Sequence, residues 1–160
     1  MGLRDRSNKT KGNKNKQRII IISLRKLLAG VFLLYLGVLI FVTLIRENDH
    51  VYGQANFNLL STIQLMWNSN NPSLLIMNVL GNIVLFMPLG FFLSLLLKRW
   101  DGPLKMLMIG VVCSSFIEII QHTATNRVFD VDDILLNTFG TVMGWVVYRL
   151  ARLWVRVLRK

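Results

Sequence analysis

The sequence contains few cysteines, few acidic residues and no motif of the common hydrolases. Cys113 is the only cysteine among 160 residues, so no disulfide bond can form within the chain. One cysteine and two histidines do not supply a Cys/His metal set, and no Gly-x-Ser-x-Gly motif is present. The chain has 19 Lys and Arg residues but only 8 Asp and Glu residues, which gives a formal net charge of +11. These features exclude a disulfide-stabilised fold and a zinc site of the Cys/His type.

Apolar residues make up 53% of the chain, with a mean hydropathy of +0.49, and they are gathered into long runs. A soluble domain of this length would bury one core and carry hydrophilic helix faces. Runs of roughly 20 apolar residues are instead typical of membrane-spanning helices. The sequence therefore predicts an all-α, polytopic membrane protein, a four-transmembrane-helix bundle. Its spans are expected at residues 27–45, 74–97, 104–121 and 134–148.

Two basic segments flank the membrane domain, which we place at residues 27–150. Residues 1–26 form a basic tail, and its first 18 residues have too little apolar surface to fold alone, so we expect disorder there. Residues 149–160 place apolar side chains opposite basic ones, which predicts an amphipathic extension of the fourth helix. Between the first two spans, apolar residues recur at helical spacing from Leu59 to Trp67. This pattern predicts a short interfacial helix or, equally, a loop helix packed on the bundle.

The positions of Lys and Arg predict the orientation in the membrane. Nine of them precede Leu27, three lie between the second and third spans, and five follow Tyr148. Only Arg46 and Arg127 fall on the other side. By the positive-inside rule, we expect both termini to be cytoplasmic in a multi-pass protein of the cell (plasma) membrane. The same distribution excludes nucleic-acid binding, which requires basic residues along one exposed surface.

Strongly polar residues within the spans concentrate near the predicted extracytoplasmic ends of the second, third and fourth helices. On span three, Ser114, Glu118 and His122 follow one stripe at intervals of four residues. A carboxylate at the centre of a span costs roughly 2.5–3.5 kcal/mol, and less near the interface, so Glu118 is expected to face the bundle interior. An ionisable residue inside a membrane indicates a functional site. We assign the following residues to a ligand-binding polar pocket: Asn78, Asn82, Glu118, Gln121, Arg127, Asp130, Asp132, Asp133 and Asn137.

Each of these residues, taken alone, also has a structural explanation. The two asparagines of span two would bond across helices, at about 0.6 kcal/mol each. Asp132 or Asp133 would cap the fourth helix at its positive dipole end. Arg127 would neutralise the neighbouring aspartates. Packing alone does not explain why all of these groups lie at one side of the membrane, and that asymmetry favours a functional site.

Three segments resemble motifs of the VanZ-like membrane proteins. The stretch from Asn82 to Gly90 is similar to their Asn-x-x-x-Phe-x-Pro-[Leu/Phe]-Gly motif. The stretch from Ser114 to Gln121 resembles a Ser…Glu-x-x-Gln segment. The stretch from Arg127 to Gly140 resembles the signature Arg-x-x-Asp-x-x-Asp-[x]3-Asn-[x]2-Gly. An Asn-Leu-Ile-Pro-Phe stretch of the family is matched only by Asn58-Leu-Leu, without Pro-Phe. The resemblance covers residues 55–148.

The founding member of that family is associated with low-level resistance to teicoplanin-type glycopeptide antibiotics, so the resemblance implies a cell-envelope role but no reaction. Three hypotheses follow. In the first, a non-enzymatic protein binds a lipid headgroup, a lipid-linked cell-wall precursor or a lipoglycopeptide, and lowers glycopeptide susceptibility. In the second, an intramembrane enzyme acts on an extracytoplasmic lipid, with a divalent cation held by Asp130, Asp132 and Asp133 and with His122 as the base.

The third hypothesis is a structural or partner-binding membrane subunit, in which the polar pocket docks another membrane protein. A loss of co-purification on changing Gly140 or Gly144, which form a Gly-x-x-x-Gly face on the fourth span, would favour this hypothesis. The same spacing predicts close packing inside the bundle. We expect no protein-bound cofactor beyond the divalent cation of the second hypothesis.

Overall fold

The computed structural model describes residues 2–45, 64, 67–68, 72–125 and 129–159. Within these residues the chain is helical and contains no strand, which confirms the all-α prediction. All four long helices are long and apolar enough to cross a membrane, so the four-helix prediction is confirmed as well. In chain order, the elements are α1 (Gly2–Ile45), α2 (Pro72–Leu96), a 3₁₀ turn (Lys98–Trp100), α3 (Pro103–Thr125) and α4 (Val131–Leu158).

The first and last helices extend beyond the predicted spans. α1 is helical from Gly2, so the expectation of disorder for the basic tail was wrong for residues 2–18. Helix nucleation is the costly step, whereas each added residue gains one hydrogen bond, so an apolar span can extend into polar sequence. α4 continues to Leu158, as the amphipathic pattern predicted. In its last turns, the side chains of Leu153, Trp154 and Val157 are all more than half exposed.

The predicted interfacial helix between the first two spans lies mostly outside the described residues. Gln64, Trp67 and Asn68 are helical and exposed, and the exposed fraction of Trp67 is 73%. An exposed tryptophan between two spans is typical of a ring at headgroup depth. The rest of this helix stays a prediction.

Helix packing is described within one of two compact units. Met1–Leu34 forms the first unit and Tyr35–Lys160 the second. In the second, α4 packs along both α2 and α3, whereas α2 and α3 have little contact with each other. α4 is therefore the helix that joins its two neighbours.

Glycines allow α2 and α4 to approach closely. A Cβ atom added at Gly140 would overlap the carbonyl oxygen of Ile83, and one at Gly144 would overlap the carbonyl oxygen of Met87. Small residues at such contacts let helix backbones pack in van der Waals contact, which stabilises helix pairs in lipid. The prediction of close packing at the Gly-x-x-x-Gly face is confirmed.

Asp101 ties the α2–α3 connection to the second half of α4. Its Oδ1 accepts a hydrogen bond from Trp145 Nε1 at 2.8 Å. Its Oδ2 lies 3.3 Å from an Arg149 nitrogen and 3.2 Å from an Arg152 nitrogen. The Arg149 guanidinium also lies over the Trp145 ring, 5.8 Å from its centroid. We call this side of the bundle, with the 3₁₀ turn, the start of α3 and the last turns of α4, the basic end.

Candidate functional site

Away from the basic end, the first half of α2, the second half of α3 and the start of α4 place polar side chains together. Ser114 and Glu118 lie four residues apart in α3, as do Asp133 and Asn137 in α4, so each pair shares one face of its helix. Nearly all of them are less than a tenth exposed, although they sit in helices with the composition of membrane spans. We call the following set the polar cluster: Asn82, Ser114, Glu118, Asp130, Asp132, Asp133 and Asn137.

A side-chain hydrogen bond joins α2 to α4 within this set. Asn82 Nδ2 donates to Asp133 Oδ1 at 2.5 Å, and Asn82 is only 7% exposed. Asp133 lies in the first turn of α4, where the positive end of the helix dipole stabilises a carboxylate. A charge-assisted bond of this kind is stronger than one between neutral groups. The contact fixes the start of α4 against the first half of α2.

Glu118 of α3 points into the bundle and binds the residue that precedes α4. Its Oε2 accepts a hydrogen bond from the backbone N–H of Asp130 at 3.2 Å, and its side chain is 3% exposed. Asp130 in turn caps α4, because its Oδ1 accepts from the backbone N–H of Asp132 at 2.9 Å. The sequence pattern predicts Asp132 or Asp133 as this cap, and the structure assigns the role to Asp130 instead.

Asn137 links α4 to α3 one turn deeper in the bundle. Its Nδ2 donates to Ser114 Oγ at 2.9 Å, and the residue is 5% exposed. Its amide oxygen, Oδ1, is buried and has no hydrogen-bond donor among the described residues, and the same holds for Thr138 Oγ1. A buried acceptor without a donor costs about 1–3 kcal/mol. Asn137 therefore offers an acceptor that a bound group with N–H or O–H donors can satisfy.

Gln121 binds α1, a helix that contributes no residue to the predicted pocket. Its Nε2 donates to the backbone carbonyl of Thr43 in α1 at 2.5 Å, and both residues are buried. Thr43 lies in the last turn of α1. Helical periodicity within α3 showed that Gln121 lies beside Glu118, but it gave no information on which neighbouring helix Gln121 meets.

The remaining predicted residues have different positions. Asn78 lies one turn before Asn82 and is half-buried. Arg127 lies outside the described residues. His122 is exposed, so it does not share the buried face of Glu118.

In the part of the chain that is described, no group of three or more His, Cys, Asp or Glu side chains is placed to hold a metal ion. The carboxylates of Asp130 and Asp133 instead accept separate hydrogen bonds within the protein.

The hydrogen bonds that carry the polar cluster span three helices and lie at one end of a four-helix membrane protein. The protein is therefore a polytopic membrane protein in which polar side chains are buried between α2, α3 and α4. The sequence profile of the VanZ/LLP1 family matches residues 32–152, and the chain belongs to that family. The match includes every residue of the polar cluster. No curated protein and no solved structure matches the chain.

Proposed function

We propose that the chain is an envelope protein that binds the hydrogen-bond-donating headgroup of a lipid, a lipid-linked wall precursor or a lipoglycopeptide in the polar cluster. The observation that carries this proposal is the buried amide oxygen of Asn137, which has no donor among the described residues. It lies one helical turn from Asp133, in a set of residues that is rich in carboxylates. Hydroxyl and ammonium groups are the natural partners of such acceptors.

Energetics favour a ligand over a purely structural role. A carboxylate inside a span costs about 2.5–3.5 kcal/mol near the centre, and even a hydrogen bond to a charged group gains only about 1.5–3 kcal/mol. The cluster contains Glu118 and three aspartates within a short distance along the chain. Interhelical bonding alone therefore does not offset the cost of burying these groups, and binding of a polar ligand supplies a reason to retain them.

An apolar groove beside the site supports an amphiphilic ligand. It has a volume of about 190 Å³ and is lined by α1, α2 and α3 side chains that include Leu39, Leu89 and Ile117. Thr43, whose carbonyl binds Gln121, also lines this groove. A dry apolar cavity of about 150 Å³ is large enough to hold benzene. The groove is therefore large enough for part of an acyl chain, with the headgroup at the cluster.

The charge distribution supports an extracytoplasmic position for the polar cluster. The basic end contains Arg149 and Arg152, and the positive-inside rule places such an end in the cytoplasm. A site facing the outer leaflet would meet wall precursors and antibiotics such as teicoplanin. Lower susceptibility to teicoplanin would then follow from binding of the drug or of its target by the cluster.

Orientation is tested by cysteine labelling in intact cells. In a Cys113→Ser background, Gln64→Cys and Arg156→Cys place single thiols at exposed positions that the predicted topology puts on opposite sides of the membrane. A membrane-impermeant maleimide is expected to label Gln64→Cys in intact cells and Arg156→Cys only after permeabilisation. The opposite pattern would reverse the orientation and move the site to the cytoplasmic side.

Binding is tested by analysing the lipids that copurify with the full chain. Glu118→Gln keeps the shape and an acceptor for the Asp130 N–H but removes the charge, so the fold is retained. We expect it to retain about tenfold less of the specific ligand, since hydrogen bonds to charged groups contribute about 1.5–3 kcal/mol. Ser94→Ala is the matched control, because Ser94 is fully buried in α2 and its hydroxyl bonds the Gly90 carbonyl and the Met106 sulfur, neither of which belongs to the polar cluster.

Selective loss of one amphiphile from Glu118→Gln would identify the ligand, and cells carrying this variant are expected to become as sensitive to teicoplanin as cells without the protein. Identical copurifying lipids in the wild type, Glu118→Gln and Ser94→Ala would refute the proposal.

The two other hypotheses receive less support. A metal-assisted enzyme requires several carboxylates directed at one point, and the described residues do not form such a group. In the partner-binding hypothesis another membrane protein docks at the polar cluster, but nearly all side chains of the cluster are less than a tenth exposed and offer little surface to a protein partner.

A further inference from the structure

The basic end contains an open cavity that the polar cluster does not use. It has a volume of about 450 Å³ and is lined by Arg99, Trp100 and Lys105. The first two residues belong to the 3₁₀ turn, and Lys105 lies in the first turns of α3. All three side chains are exposed, so this surface is available to a ligand.

The two basic side chains of the cavity are not paired with a carboxylate among the described residues. Lys105 Nζ donates to the carbonyl oxygen of Arg99 at 2.6 Å, which holds the ammonium over the 3₁₀ turn and leaves its other donors available. The acidic residue of this connection, Asp101, binds Arg149 and Arg152 instead. No ion pair of Arg99 or Lys105 occurs among the described residues, which predicts a locally positive potential at the cavity.

The depth of the cavity suits a lipid headgroup. The apolar window of α2 ends at Leu96 and that of α3 begins at Pro103, so the residues between them lie where the hydrocarbon core ends. Tryptophan is enriched at this level of membrane proteins. Leu97 and Leu104 lie close along the chain to Arg99 and Lys105 and are 47% and 68% exposed, so apolar surface is present near the basic groups. A soluble anion would leave those leucines uncovered, whereas a lipid would cover them with its acyl chains.

We propose that this cavity binds the phosphate-bearing headgroup of an anionic phospholipid. Arg99 and Lys105 contact the phosphate, and Trp100 packs against the boundary between headgroup and acyl chains. Basic pockets between helix ends on one side of a membrane are a recurrent form of anionic lipid site. The site lies at the opposite end of the bundle from the polar cluster and is independent of the proposed ligand there.

The test is native mass spectrometry of the full chain titrated with phosphatidylglycerol or phosphatidylcholine. We expect the wild type to retain phosphatidylglycerol preferentially. The double variant Arg99→Gln/Lys105→Gln is expected to retain it about thirtyfold less, because both basic groups that contact the phosphate lose their charge. The swapped variant Arg99→Lys/Lys105→Arg keeps both charges and is expected to bind nearly as the wild type does.

Arg156→Gln/Arg159→Gln removes the same charge from exposed residues at the end of α4 and serves as the matched control. An equal loss in this control would show diffuse attraction to the membrane and would overturn the proposal. Retention of phosphatidylcholine at the same level as phosphatidylglycerol would overturn it too, and displacement of the lipid by inorganic phosphate alone would reassign the cavity to a free anion.

Discussion

The two ends of the helix bundle hold their charged side chains in different ways. In the polar cluster, Glu118 and Asp132 are 3% and 1% exposed, and Glu118 binds a backbone N–H. At the basic end, the side chains of Arg149 and Arg152 that bind Asp101 are 51% and 38% exposed. Buried hydrogen bonds to charged groups contribute about 1.5–3 kcal/mol, but exposed ion pairs contribute about 0–1 kcal/mol. Charged side chains therefore contribute strongly to the stability of the fold at the polar cluster and only weakly at the basic end.

The largest loss of stability is expected at the contact between α2 and α4, which lies between the two ends. Gly144→Ala places a methyl group against the Met87 carbonyl, which belongs to backbone and cannot move aside without displacing a helix. We expect the free energy of unfolding to fall by about 3 kcal/mol, measured by thermal unfolding in detergent micelles. Gly37→Ala is the control, because nothing lies within 4 Å of a Cβ at that position. Equal unfolding temperatures for the two variants would show that α2 and α4 are not in such close contact.

A smaller effect is expected from a single change in the polar cluster. Asn82→Leu removes the donor from Asp133 Oδ1, and we expect the free energy of unfolding to fall by about 2 kcal/mol. The double variant Asn82→Leu/Asp133→Leu removes both polar groups and should recover part of that loss. Ser94→Ala, measured alongside, should lose less than about 1 kcal/mol. If Asn82→Leu were as stable as Ser94→Ala, the contrast between the two ends would fail.

The smallest effect is expected at the basic end. Asp101→Asn keeps an acceptor for Trp145 Nε1 but removes the charge that faces Arg149 and Arg152. We expect a loss of less than about 1 kcal/mol at low salt that vanishes at high salt, because both arginines are more than a third exposed. A loss above about 2 kcal/mol at every salt concentration would show that Asp101 specifies the fold as strongly as the polar cluster does.

Much of the architecture was predictable from single-helix patterns. Apolar run length gave four spans, and spacing by four placed Glu118 with Ser114 on one face of α3. Membership of the VanZ/LLP1 family agrees with the motifs around Asn82 and Asn137. The α4 extension followed from its amphipathic pattern. These features depend on the spacing of residues within one helix, which can be read from a single sequence.

Other features depend on how helices rotate and pair, and periodicity does not determine those. The bond from Gln121 to Thr43 requires α1 beside α3, and nothing within either segment indicates this. The cap on α4 was assigned to the wrong aspartate, since three acidic residues close together all satisfy the local pattern. Composition also predicted disorder in the basic tail, where the structure is helical from Gly2.

The length of α4 has a consequence for how the protein sits in a bilayer. Its 28 residues correspond to a rod of about 42 Å, whereas the hydrocarbon core is only about 30 Å thick. Starting from the polar cluster, an upright rod would project well past the far boundary of the core. The exposed apolar side chains of its last turns, such as Leu153 and Val157, favour tilting or lying along that boundary instead. Membrane thickness therefore affects the tilt of α4, which packs against both α2 and α3.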